Sequence, residues 1–487
     1  MIKTRFAPSP TGFLHVGGLR TALFAYLFAK KNGGKFLLRI EDTDRERFVE
    51  GGMENILNSL HWAGIKPDEG VDFDANKNIV QIGEAGPYIQ SERLEIYKKY
   101  IDELVEVGHA YHCFCSKERL DEVRKLQQIN KQPTGYDGQC RDLSLEEAKK
   151  KIEAGESCVV RMKMPKEGTT KFTDLVRDEV EFKNELIDDQ VILKTDGFPT
   201  YHLAVVVDDH LMGITHVIRG EEWISSTPKH IKLYEMFGWE VPQFAHLSLL
   251  VNEKKQKLSK RHGDVSVEDF KEKGYLPEAL VNFISFLGWN PGDEREIFSL
   301  ENLEKEFDMK QVGKAAAVFD RIKLDWYDQQ YIMNMDLTEL AKKCESFYKN
   351  AGVKTEDCNL ETVVQMEQGR ANTLAEIVEN TGFIFAQNLE YESELLVWKK
   401  STKEDAKEKL ELVSEFLSTL EGDWSKETLE EKVLPWIKEQ GFGNGDVLWP
   451  VRVALSGLKN SPGPFEIAGV LGKKKTLERI KIAINLI

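Results

Sequence analysis

The sequence predicts an α/β domain with a parallel sheet, split by an α+β insertion and followed by an all-α C-terminal region. Three observations predict this class: a β-loop-α-β pattern in the first fifty residues, a second set of short apolar runs at 191–250, and long amphipathic stretches after residue 331. Strands that alternate with helices are typical of a parallel sheet, and apolar residues recurring every three to four positions indicate helices.

The first fifty residues predict a strand, a loop, a helix and a second strand. The first strand covers residues 3–6, and two prolines and a glycine mark the loop that follows it. A helix comes next, because apolar side chains share one helical face at 19, 23, 26 and 27. The glycines at 33 and 34 predict its end. An apolar run at 36–40 then gives the second strand. A helix between two strands is the beginning of a parallel sheet.

The remaining segments predict the rest of the domain organisation. Residues 81–190 mix helices, turns and cysteines, which favours an insertion into the α/β domain. Strands are then expected at 191–193, 203–207, 216–219 and 246–250, and amphipathic helices at 337–351, 403–421 and 426–440. The predicted domains are 1–80 with 191–250, 81–190, 251–330 and 331–487.

Composition limits the class of protein. The chain has 487 residues, of which 41% are hydrophobic, so it has enough apolar side chains for several cores and is not disordered throughout. The net charge of −16 argues against a protein that coats nucleic acid or anionic membranes. Basic residues nevertheless outnumber acidic ones by nine to five in residues 1–50 and by five to one in 252–263. These two basic segments indicate local contacts with phosphate.

The six cysteines and the apolar runs predict where the protein works. The cysteines are too sparse for the disulfide framework of a small secreted protein. The first residues contain no apolar leader, and no run approaches the roughly 18 apolar residues that span a membrane. We therefore expect a protein of the reduced cytoplasm without a membrane partner.

The loop at 9–18, Ser-Pro-Thr-Gly-Phe-Leu-His-Val-Gly-Gly, lies between the first strand and the first helix. Glycines let a backbone approach a ligand closely, and the N-terminus of a helix presents unpaired N–H groups to an anion. His15 adds a donor for a phosphate oxygen. The pattern indicates a nucleotide triphosphate site, with a tight turn and a capping histidine as the alternative. It is not a Walker loop, because no G-x-x-x-x-G-K-[ST] occurs.

The second basic segment, 254–263, reads Lys-Lys-Gln-Lys-Leu-Ser-Lys-Arg-His-Gly. Lys257 and Lys260, with a hydroxyl between them and a glycine after them, suit a loop that closes on phosphates and stabilises charge as a phosphate bond breaks. The alternative is a solvated lysine-rich loop.

Together the two segments resemble the H-x-G-x and K-x-S-K signatures of class I aminoacyl-tRNA synthetases. Three further motifs resemble those of bacterial-type glutamyl-tRNA synthetases. They are R-F-A-P-S-P-T-G at 5–12, R-I-E-D-T-D at 39–44 and R-G-E-E-W at 219–223. The resemblance extends to W-P-V-R-V-A-L-S-G at 449–457. It implies a Rossmann-type catalytic domain, an acceptor-stem-binding insertion, a connecting domain and an α-helical anticodon-binding region.

The resemblance also implies an activity and a set of site residues. The enzyme would activate L-glutamate with ATP and Mg²⁺ and transfer it to the 3′-terminal adenosine of glutamate tRNA, acting as a monomer. The catalytic residues implied are His15, Lys257 and Lys260. ATP would bind Ser9, His15, Gly17, Gly18, Glu222, Trp223, Leu249, Leu250, Lys257 and Lys260.

A glutamate site needs cations for the side-chain carboxylate and an anion for the α-ammonium. The fork of an arginine binds a carboxylate bidentately and stays charged. The resemblance assigns Arg5 and Arg219 to the side-chain carboxylate and Glu41 to the ammonium. The glutamate residues implied are Arg5, Ala7, Ser9, Glu41, Tyr201 and Arg219.

A cysteine cluster in the insertion predicts a metal site. Cys113 and Cys115 are one residue apart, and Cys140 follows 25 positions later. Three thiolates occupy three corners of a zinc tetrahedron, and the fourth ligand would be Tyr136 or Asp142. The alternative is a metal-free cluster of reduced, partly buried thiols.

Residues for tRNA are expected in the insertion and in the helical region. A basic run in the insertion either meets phosphates or is solvated: Arg161, Lys163, Lys166 and Lys171. The resemblance places Arg370 near the third anticodon base, which would restrict the enzyme to glutamate tRNA.

Four other classes of protein fit the sequence less well. A glutaminyl-tRNA synthetase would carry β-barrel anticodon domains, and a tRNA-modifying paralogue would lack the C-terminal third. An inert RNA-binding protein on the same scaffold would lack the site residues, and a small-molecule adenylyltransferase would be about half as long.

Overall fold

The structure is a computed structural model that describes residues 1–258, 265–355 and 358–487. The chain divides into two compact units, one of 1–270 with 280–321 and one of 271–279 with 322–487. Strands lie in the first unit, and helices make up the second. The predicted fold class, an α/β domain with an α+β insertion and a helical C-terminal region, is confirmed. Within the described ranges, no helix is long and apolar enough to cross a membrane.

Thirteen strands occur among the described residues. They are β1 (Lys3–Phe6), β2 (Lys35–Leu38), β3 (Glu69–Phe73), β4 (Ile79–Ile82), β5 (Ala110–Cys113), β6 (Val159–Met162), β7 (Thr169–Asp174), β8 (Asp178–Lys183), β9 (Val191–Leu193), β10 (His216–Gly220), β11 (Gln243–Leu247), β12 (Leu250–Val251) and β13 (Ala317–Val318).

Helices connect and cover these strands and continue to the end of the chain. They are α1 (Val16–Lys31), α2 (Gly52–Trp62), α3 (Leu94–Glu106), α4 (Lys117–Ile129), α5 (Leu145–Glu153), α6 (Tyr201–Leu211), α7 (Thr227–Phe237), α8 (Val267–Glu272), α9 (Pro277–Ser285), α10 (Leu300–Glu306), α11 (Arg321–Met333), α12 (Leu337–Asn350), α13 (Leu360–Gln368), α14 (Leu374–Thr381), α15 (Lys403–Thr419), α16 (Lys426–Glu439), α17 (Asn444–Ser456) and α18 (Pro464–Leu486).

Two mixed sheets form the centre of the first unit. In the order β1-β2-β3-β4, the first three strands are parallel and β4 is antiparallel. In the order β10-β11-β7-β8, the first three strands are again parallel, and β8 closes a hairpin with β7. The backbone N–H of Thr215 donates to the carbonyl of Lys3 at 2.9 Å, which brings β10 beside β1. The carboxyl ends of these parallel strands are where an α/β sheet binds its ligands.

The expected strand at 203–207 is wrong, because these residues lie in α6. Residues 203–209 of this helix are all buried, so its apolar run has no polar face to reveal helical periodicity. A short continuous apolar run does not by itself distinguish a buried strand from a buried helix. The expected strands at 3–6, 191–193 and 216–219 are present, whereas 246–250 is divided between β11 and β12.

The hairpin β7-β8 comes from the predicted insertion but belongs to the second sheet. Asp174 at the end of β7 is in parallel register with Phe244 of β11. A separate three-stranded sheet, β5-β6-β9, pairs two strands from within 81–190 with the strand at 191–193. The exact domain boundaries stay a prediction, but the hairpin ties the insertion to the strands that carry the site.

The regular elements among the described residues of the second unit are all helices. The expected helices at 337–351, 403–421 and 426–440 are confirmed as α12, α15 and α16. Each begins with a side-chain cap, from Asp336, Thr402 and Ser425, which satisfies N–H groups that have no partner within the helix. Buried Arg479 of α18 donates to the carbonyls of Phe383 and Ala386, at 2.8 and 2.9 Å.

Gly70 of β3 gives a test of the first sheet. It has φ of +114°, and a Cβ at this position would lie 2.0 Å from the carbonyl oxygen of Leu38 in β2. We expect Gly70→Ala to lower the free energy of unfolding by more than about 3 kcal/mol, since both a backbone clash and a disfavoured φ contribute. Urea unfolding followed by circular dichroism measures this.

Gly213→Ala is the matched control, because Gly213 has φ of +69° and open space around its Cβ position. Strain in φ alone costs about 1–2 kcal/mol. Equal losses in the two variants would contradict the close approach of β2 and β3 at Gly70.

Candidate active site

A cavity of about 1080 Å³ opens where the parallel strands β1 and β10 end. Its lining includes every predicted nucleotide and glutamate residue that the structure describes. These residues are Arg5, Ala7, Ser9, His15, Gly17, Gly18, Glu41, Tyr201, Arg219, Glu222, Trp223, Leu249, Leu250 and Lys257. Lys260 lies outside the described residues. Segments that are far apart in the sequence therefore meet at one site, and their individual roles stay predictions.

His15 caps the N-terminus of α1 and also lines the cavity. The backbone N–H of Gly18 donates to its Nδ1 at 3.0 Å, which places the proton of the neutral ring on Nε2. A Cβ on Gly17 would lie 3.0 Å from that same Nδ1, so only glycine leaves room for the ring as it stands. The two interpretations of this loop are thus compatible, because the capping histidine lies where a helix N-terminus favours a phosphate.

Lys257 lies in the turn that follows β12. Its backbone forms an isolated antiparallel bridge with Val251, and its exposed side chain lines the cavity. Leu249, which precedes β12 and lines the cavity, is held by Glu221. Oε1 of Glu221 accepts a hydrogen bond from the backbone N–H of Leu249 at 2.8 Å. The site thus combines a histidine, a lysine and a helix N-terminus, the groups that stabilise charge on phosphoryl oxygens.

Arg219 is a buried cation whose partners are all neutral or aromatic. Its Nε donates to Nε2 of His246 at 3.1 Å, and its Nη2 donates to Oγ1 of Thr227 at 2.9 Å. Its Nη1 lies 3.2 Å from Nδ1 of His230 and 3.3 Å from Oη of Tyr201. Burial lowers its pKa, but from a value so high that it stays charged at neutral pH. Within the described chain it has no salt bridge, so it suits a substrate carboxylate.

Tyr201 forms one side of this pocket. Its ring packs on that of Trp223 with centroids 4.2 Å apart. Its hydroxyl oxygen accepts from Arg219, so the hydroxyl proton remains to be donated to another group. Burial raises the pKa of Tyr201, which keeps that proton in place. The polar groups offered here are therefore donors, as a carboxylate requires.

Arg5 and Glu41 are linked through two other buried residues. Nε of Arg5 donates to both carboxylate oxygens of Asp209, at 3.1 and 3.2 Å. Arg39 bridges the same Asp209, at 2.8 Å, to Glu41, at 3.1 Å. Burial raises the pKa of Glu41 to about 7, against the opposing influence of Arg39 and Arg5. Glu41 thus changes charge close to neutral pH.

Several residues around the site were given no role from the sequence. Asp208 and Asp209 had a signal, because two adjacent acids in an apolar run must find partners when buried. His246, His230 and Thr227 had none, since their contacts to Arg219 depend on strand pairing and on α7. The cavity rim also includes residues without an assigned role, namely Thr43, Asp44, Arg45, Arg47 and Lys194.

The three predicted cysteines of the insertion lie together. The Sγ atoms of Cys113, Cys115 and Cys140 are all within 4.8 Å of one another, and those of Cys115 and Cys140 are 3.6 Å apart. Oη of Tyr136 lies 3.4 Å from Sγ of Cys113 and 3.7 Å from Sγ of Cys115. Tetrahedral zinc with Zn–S bonds of about 2.3 Å separates its sulfurs by about 3.8 Å. These donors fit such an ion.

Of the two predicted fourth ligands, Tyr136 is with the cysteines and Asp142 is not. The side chain of Asp142 is 92% exposed, and its carboxylate lies 3.7 Å from Nζ of Lys163. The guanidinium of Arg161 lies 4.0 Å from the centroid of the Tyr136 ring, which packs the phenol beside the cysteines. The structure therefore favours Tyr136 as the fourth donor.

The predicted basic run in the insertion is largely occupied by other contacts. Arg161 is buried and donates to the carbonyl of Asp189 at 2.8 Å, which argues against a phosphate contact. Lys166 lies 3.3 Å from the carboxylate of Asp189, and Lys171 lies 3.1 Å from that of Glu181. The side chains of Lys163, Lys166 and Lys171 remain 37%, 48% and 68% exposed, so phosphate contacts from them stay a prediction.

Arg370 lies at the end of α13 in the helical unit. Its side chain is about half exposed, and its Nη2 lies 3.1 Å from the carboxylate of Glu466. Glu367 lies 3.5 Å from its Nε. An anticodon contact by Arg370 therefore competes with two carboxylates, and its role in tRNA recognition stays a prediction.

Comparison with known proteins finds similar sequences over nearly the whole chain. Residues 1–326 match the family described as tRNA synthetases class I (E and Q), catalytic domain, and residues 337–484 match an anticodon binding domain. The chain is 46% identical to a glutamate--tRNA ligase of Finegoldia magna and 47% identical to one of Clostridioides difficile, with 99% of each chain covered in both cases.

A solved structure gives the same result. A glutamate tRNA ligase from Elizabethkingia meningosepticum in complex with its amino acid is similar with a TM-score of 0.86 and 36% identity, over 99% of both chains. The resemblance inferred from the sequence motifs is thereby confirmed. The chain belongs to the class I tRNA synthetases (E and Q), with a catalytic domain followed by an anticodon binding domain.

Proposed function

We propose that the chain catalyses the ATP-dependent attachment of L-glutamate to glutamate tRNA. The observation that carries this proposal is Arg219, a buried cation in the cavity that has only neutral partners among the described residues. A glutamate side chain supplies the missing carboxylate. The names of the relatives, glutamate--tRNA ligases that match over 99% of the chain, support the same conclusion.

The first step forms glutamyl-adenylate. The α-carboxylate of glutamate attacks the α-phosphate of ATP in line, the bond to the β-phosphate breaks, and pyrophosphate leaves. Mg²⁺ bound with ATP would neutralise part of the charge on the phosphates. A carboxylate is already a nucleophile, so the site needs positioning and charge stabilisation and does not need a strong base. Arg5 and Arg219 hold the side chain of glutamate and Glu41 its ammonium, while His15 and Lys257 stabilise the phosphates.

The second step transfers the amino acid. A hydroxyl of the terminal ribose of tRNA attacks the carbonyl carbon of glutamyl-adenylate, and AMP leaves. The proton of the attacking ribose hydroxyl passes to a phosphate oxygen of the departing AMP or to water. The anticodon binding domain at 337–484 supports tRNA as the acceptor. We propose Arg370 as a contact for the third anticodon base.

Glutamate is favoured over glutamine by the polar groups of the pocket. Arg5, Arg219 and Tyr201 present hydrogen-bond donors, whereas the NH₂ of a glutamine side chain requires an acceptor. A buried N–H group that faces another donor is left unpaired at a cost of about 1–3 kcal/mol. The helices of the second unit also support glutamate, because a glutaminyl enzyme is expected to carry β-barrels there.

The charging reaction gives the direct test. We expect the purified chain to catalyse ATP–pyrophosphate exchange with glutamate in the presence of glutamate tRNA, and to do so poorly with glutamine. Lys257→Ala should lower the exchange rate by about 10²–10³, since it removes a cation beside the transferred phosphate.

Lys254→Ala is the matched control, because Lys254 is exposed in the same turn and does not line the cavity. An equal loss in both variants would overturn the phosphate role of Lys257. Efficient charging of glutamine would overturn the substrate assignment.

Glu41 predicts a pH dependence of glutamate binding. Its carboxyl holds an ammonium only when ionised, and burial raises its pKa to about 7. Above this pH the ionised form dominates, and below it binding is lost. We expect KM for glutamate to rise about fivefold between pH 7 and pH 6, with KM for ATP unchanged.

Glu41→Gln should raise KM for glutamate and remove this pH dependence. Glu54→Gln, an identical change on the exposed face of α2, should keep the wild-type profile. A pH-dependent KM that persists in Glu41→Gln would contradict the assignment.

We also propose that the insertion binds one structural Zn²⁺ through Cys113, Cys115, Cys140 and Tyr136. A bound zinc would tie the end of β5 to the loop that carries Tyr136 and Cys140. We propose that the enzyme works in the cytoplasm as a monomer.

Metal analysis tests the zinc site. We expect about one zinc per wild-type chain and much less in Cys115→Ser. Tyr136→Phe should weaken zinc affinity, because it removes one of the four ligands, whereas Asp142→Asn should leave the affinity unchanged. A wild-type chain with well under one zinc, or an Asp142→Asn variant as defective as Tyr136→Phe, would refute the proposed ligand set.

A further inference from the structure

Three buried polar side chains form a row across adjacent strands behind the glutamate pocket. Arg219 of β10 is in parallel register with His246 of β11, and Asp174 ends β7 on the other side of β11. Nε of Arg219 lies 3.1 Å from Nε2 of His246, and Nδ1 of His246 lies 2.6 Å from Oδ2 of Asp174. His246 and Asp174 are 0% and 2% exposed. Neither residue lines the cavity.

The hydrogen bonds fix the position of each proton in this row. Oδ1 of Asp174 accepts from the backbone N–H groups of Val176 and Arg177, both at 2.9 Å, and from that of His246 at 3.2 Å. A carboxylate with this many donors is ionised. It therefore accepts the proton on Nδ1 of His246, and Nε2 of the neutral ring is left as an acceptor for the N–H of Arg219.

His230 and Thr227 supply the other acceptors. Nδ1 of His230 accepts from Nη1 of Arg219, and Nε2 of His230 faces Nδ1 of His202 at 3.0 Å. Burial lowers the pKa of His230, so this ring also stays neutral. With Tyr201 and Thr227, these residues engage four of the five N–H groups of Arg219. The fifth, on Nη2, has no acceptor among the described residues.

We propose that Asp174 and His246 are positioning residues for amino-acid recognition: Asp174 fixes the tautomer of His246, which in turn orients Arg219 toward the side-chain carboxylate of the substrate. This inference rests on the proposed function. The imidazole separates the carboxylate of Asp174 from the guanidinium, so the row fixes Arg219 without giving it a direct ion pair. Arg5 differs, because its Nε binds Asp209 directly.

Asp174→Asn is the most informative variant, because it replaces a hydrogen-bond acceptor by a donor while the side chain keeps its size and shape. The amide oxygen still accepts from the backbone N–H groups, but the NH₂ faces Nδ1 of His246. The ring must then accept at Nδ1 and carry its proton on Nε2, which points a donor at the N–H of Arg219. An isosteric Asp→Asn change beside a catalytic histidine acts in this way in serine proteases.

The kinetic test compares KM for glutamate with KM for ATP. We expect Asp174→Asn to raise KM for glutamate at least tenfold in tRNA charging and to change KM for ATP less than twofold. The matched control is Asp178→Asn, directly opposite Asp174 in the hairpin but exposed. An unchanged KM for glutamate in Asp174→Asn, or an equal rise in Asp178→Asn, overturns the proposal.

A spectroscopic test reads the tautomer without activity. In protein labelled with ¹⁵N-histidine, the signal of His246, assigned by its loss in His246→Gln, should show the proton on Nδ1. In Asp174→Asn the proton should move to Nε2. A wild-type ring protonated on Nε2 or on both nitrogens overturns the proposal. If wild-type enzyme fails to charge tRNA with glutamate, the proposed function fails, and the spectrum still tests the tautomer.

A second pair of variants covers the case in which Asp174→Asn does not fold. The amide oxygen of His246→Gln can occupy the place of Nε2 and accept from Arg219, whereas His246→Leu has no acceptor there. We expect KM for glutamate to rise several-fold more in His246→Leu than in His246→Gln. Equal KM values in the two variants would overturn the proposal.

Discussion

Asp208 and Asp209, adjacent in the buried helix α6, hold three arginines from three separate segments of the chain. Arg5 comes from β1, Arg39 follows β2, and Arg93 precedes α3. All five side chains are 4% exposed or less. Removing one partner from such a buried set costs about 3–5 kcal/mol, because the remaining charge stays buried without compensation. The ends of two parallel strands, and with them both sides of the amino-acid site, therefore depend on this pair of carboxylates.

The two arginines assigned to the same substrate carboxylate lie in different electrostatic surroundings. Arg5 is tied to Asp209 and forms part of a nearly neutral network. Arg219 is surrounded by two imidazoles, two hydroxyls and aromatic rings, with its guanidinium 5.5 Å from the Phe244 ring centroid. Coulomb attraction to an incoming anion is thus concentrated at Arg219, while Arg5 contributes mainly directed hydrogen bonds.

The sequence predicts those parts of the site that are formed by motifs of consecutive residues. It does not predict those parts that depend on packing between distant segments. The loop at 9–18 and the turn near Lys257 carry their chemistry in consecutive residues, so their place in one cavity was predictable. The run at 203–207 was not, because a helix buried on all sides shows no periodicity. The choice between Tyr136 and Asp142 depends on the path of one loop. The contact between Asp174 and His246, 72 residues apart, exists only because β7 pairs with β11.

The hairpin of β7 and β8 also bears on how far this enzyme can be divided into modules. An insertion that only rests on a host domain can be excised and its ends rejoined at little cost to the host. Here, deletion of 81–190 would remove two of the four strands of the second sheet, β7 and β8, together with the carboxylate that pairs with His246. The exposed edge of β11 and a buried imidazole whose Nδ1 has lost its partner would remain in the catalytic half. A minimal catalytic fragment of this chain must therefore retain residues 169–183.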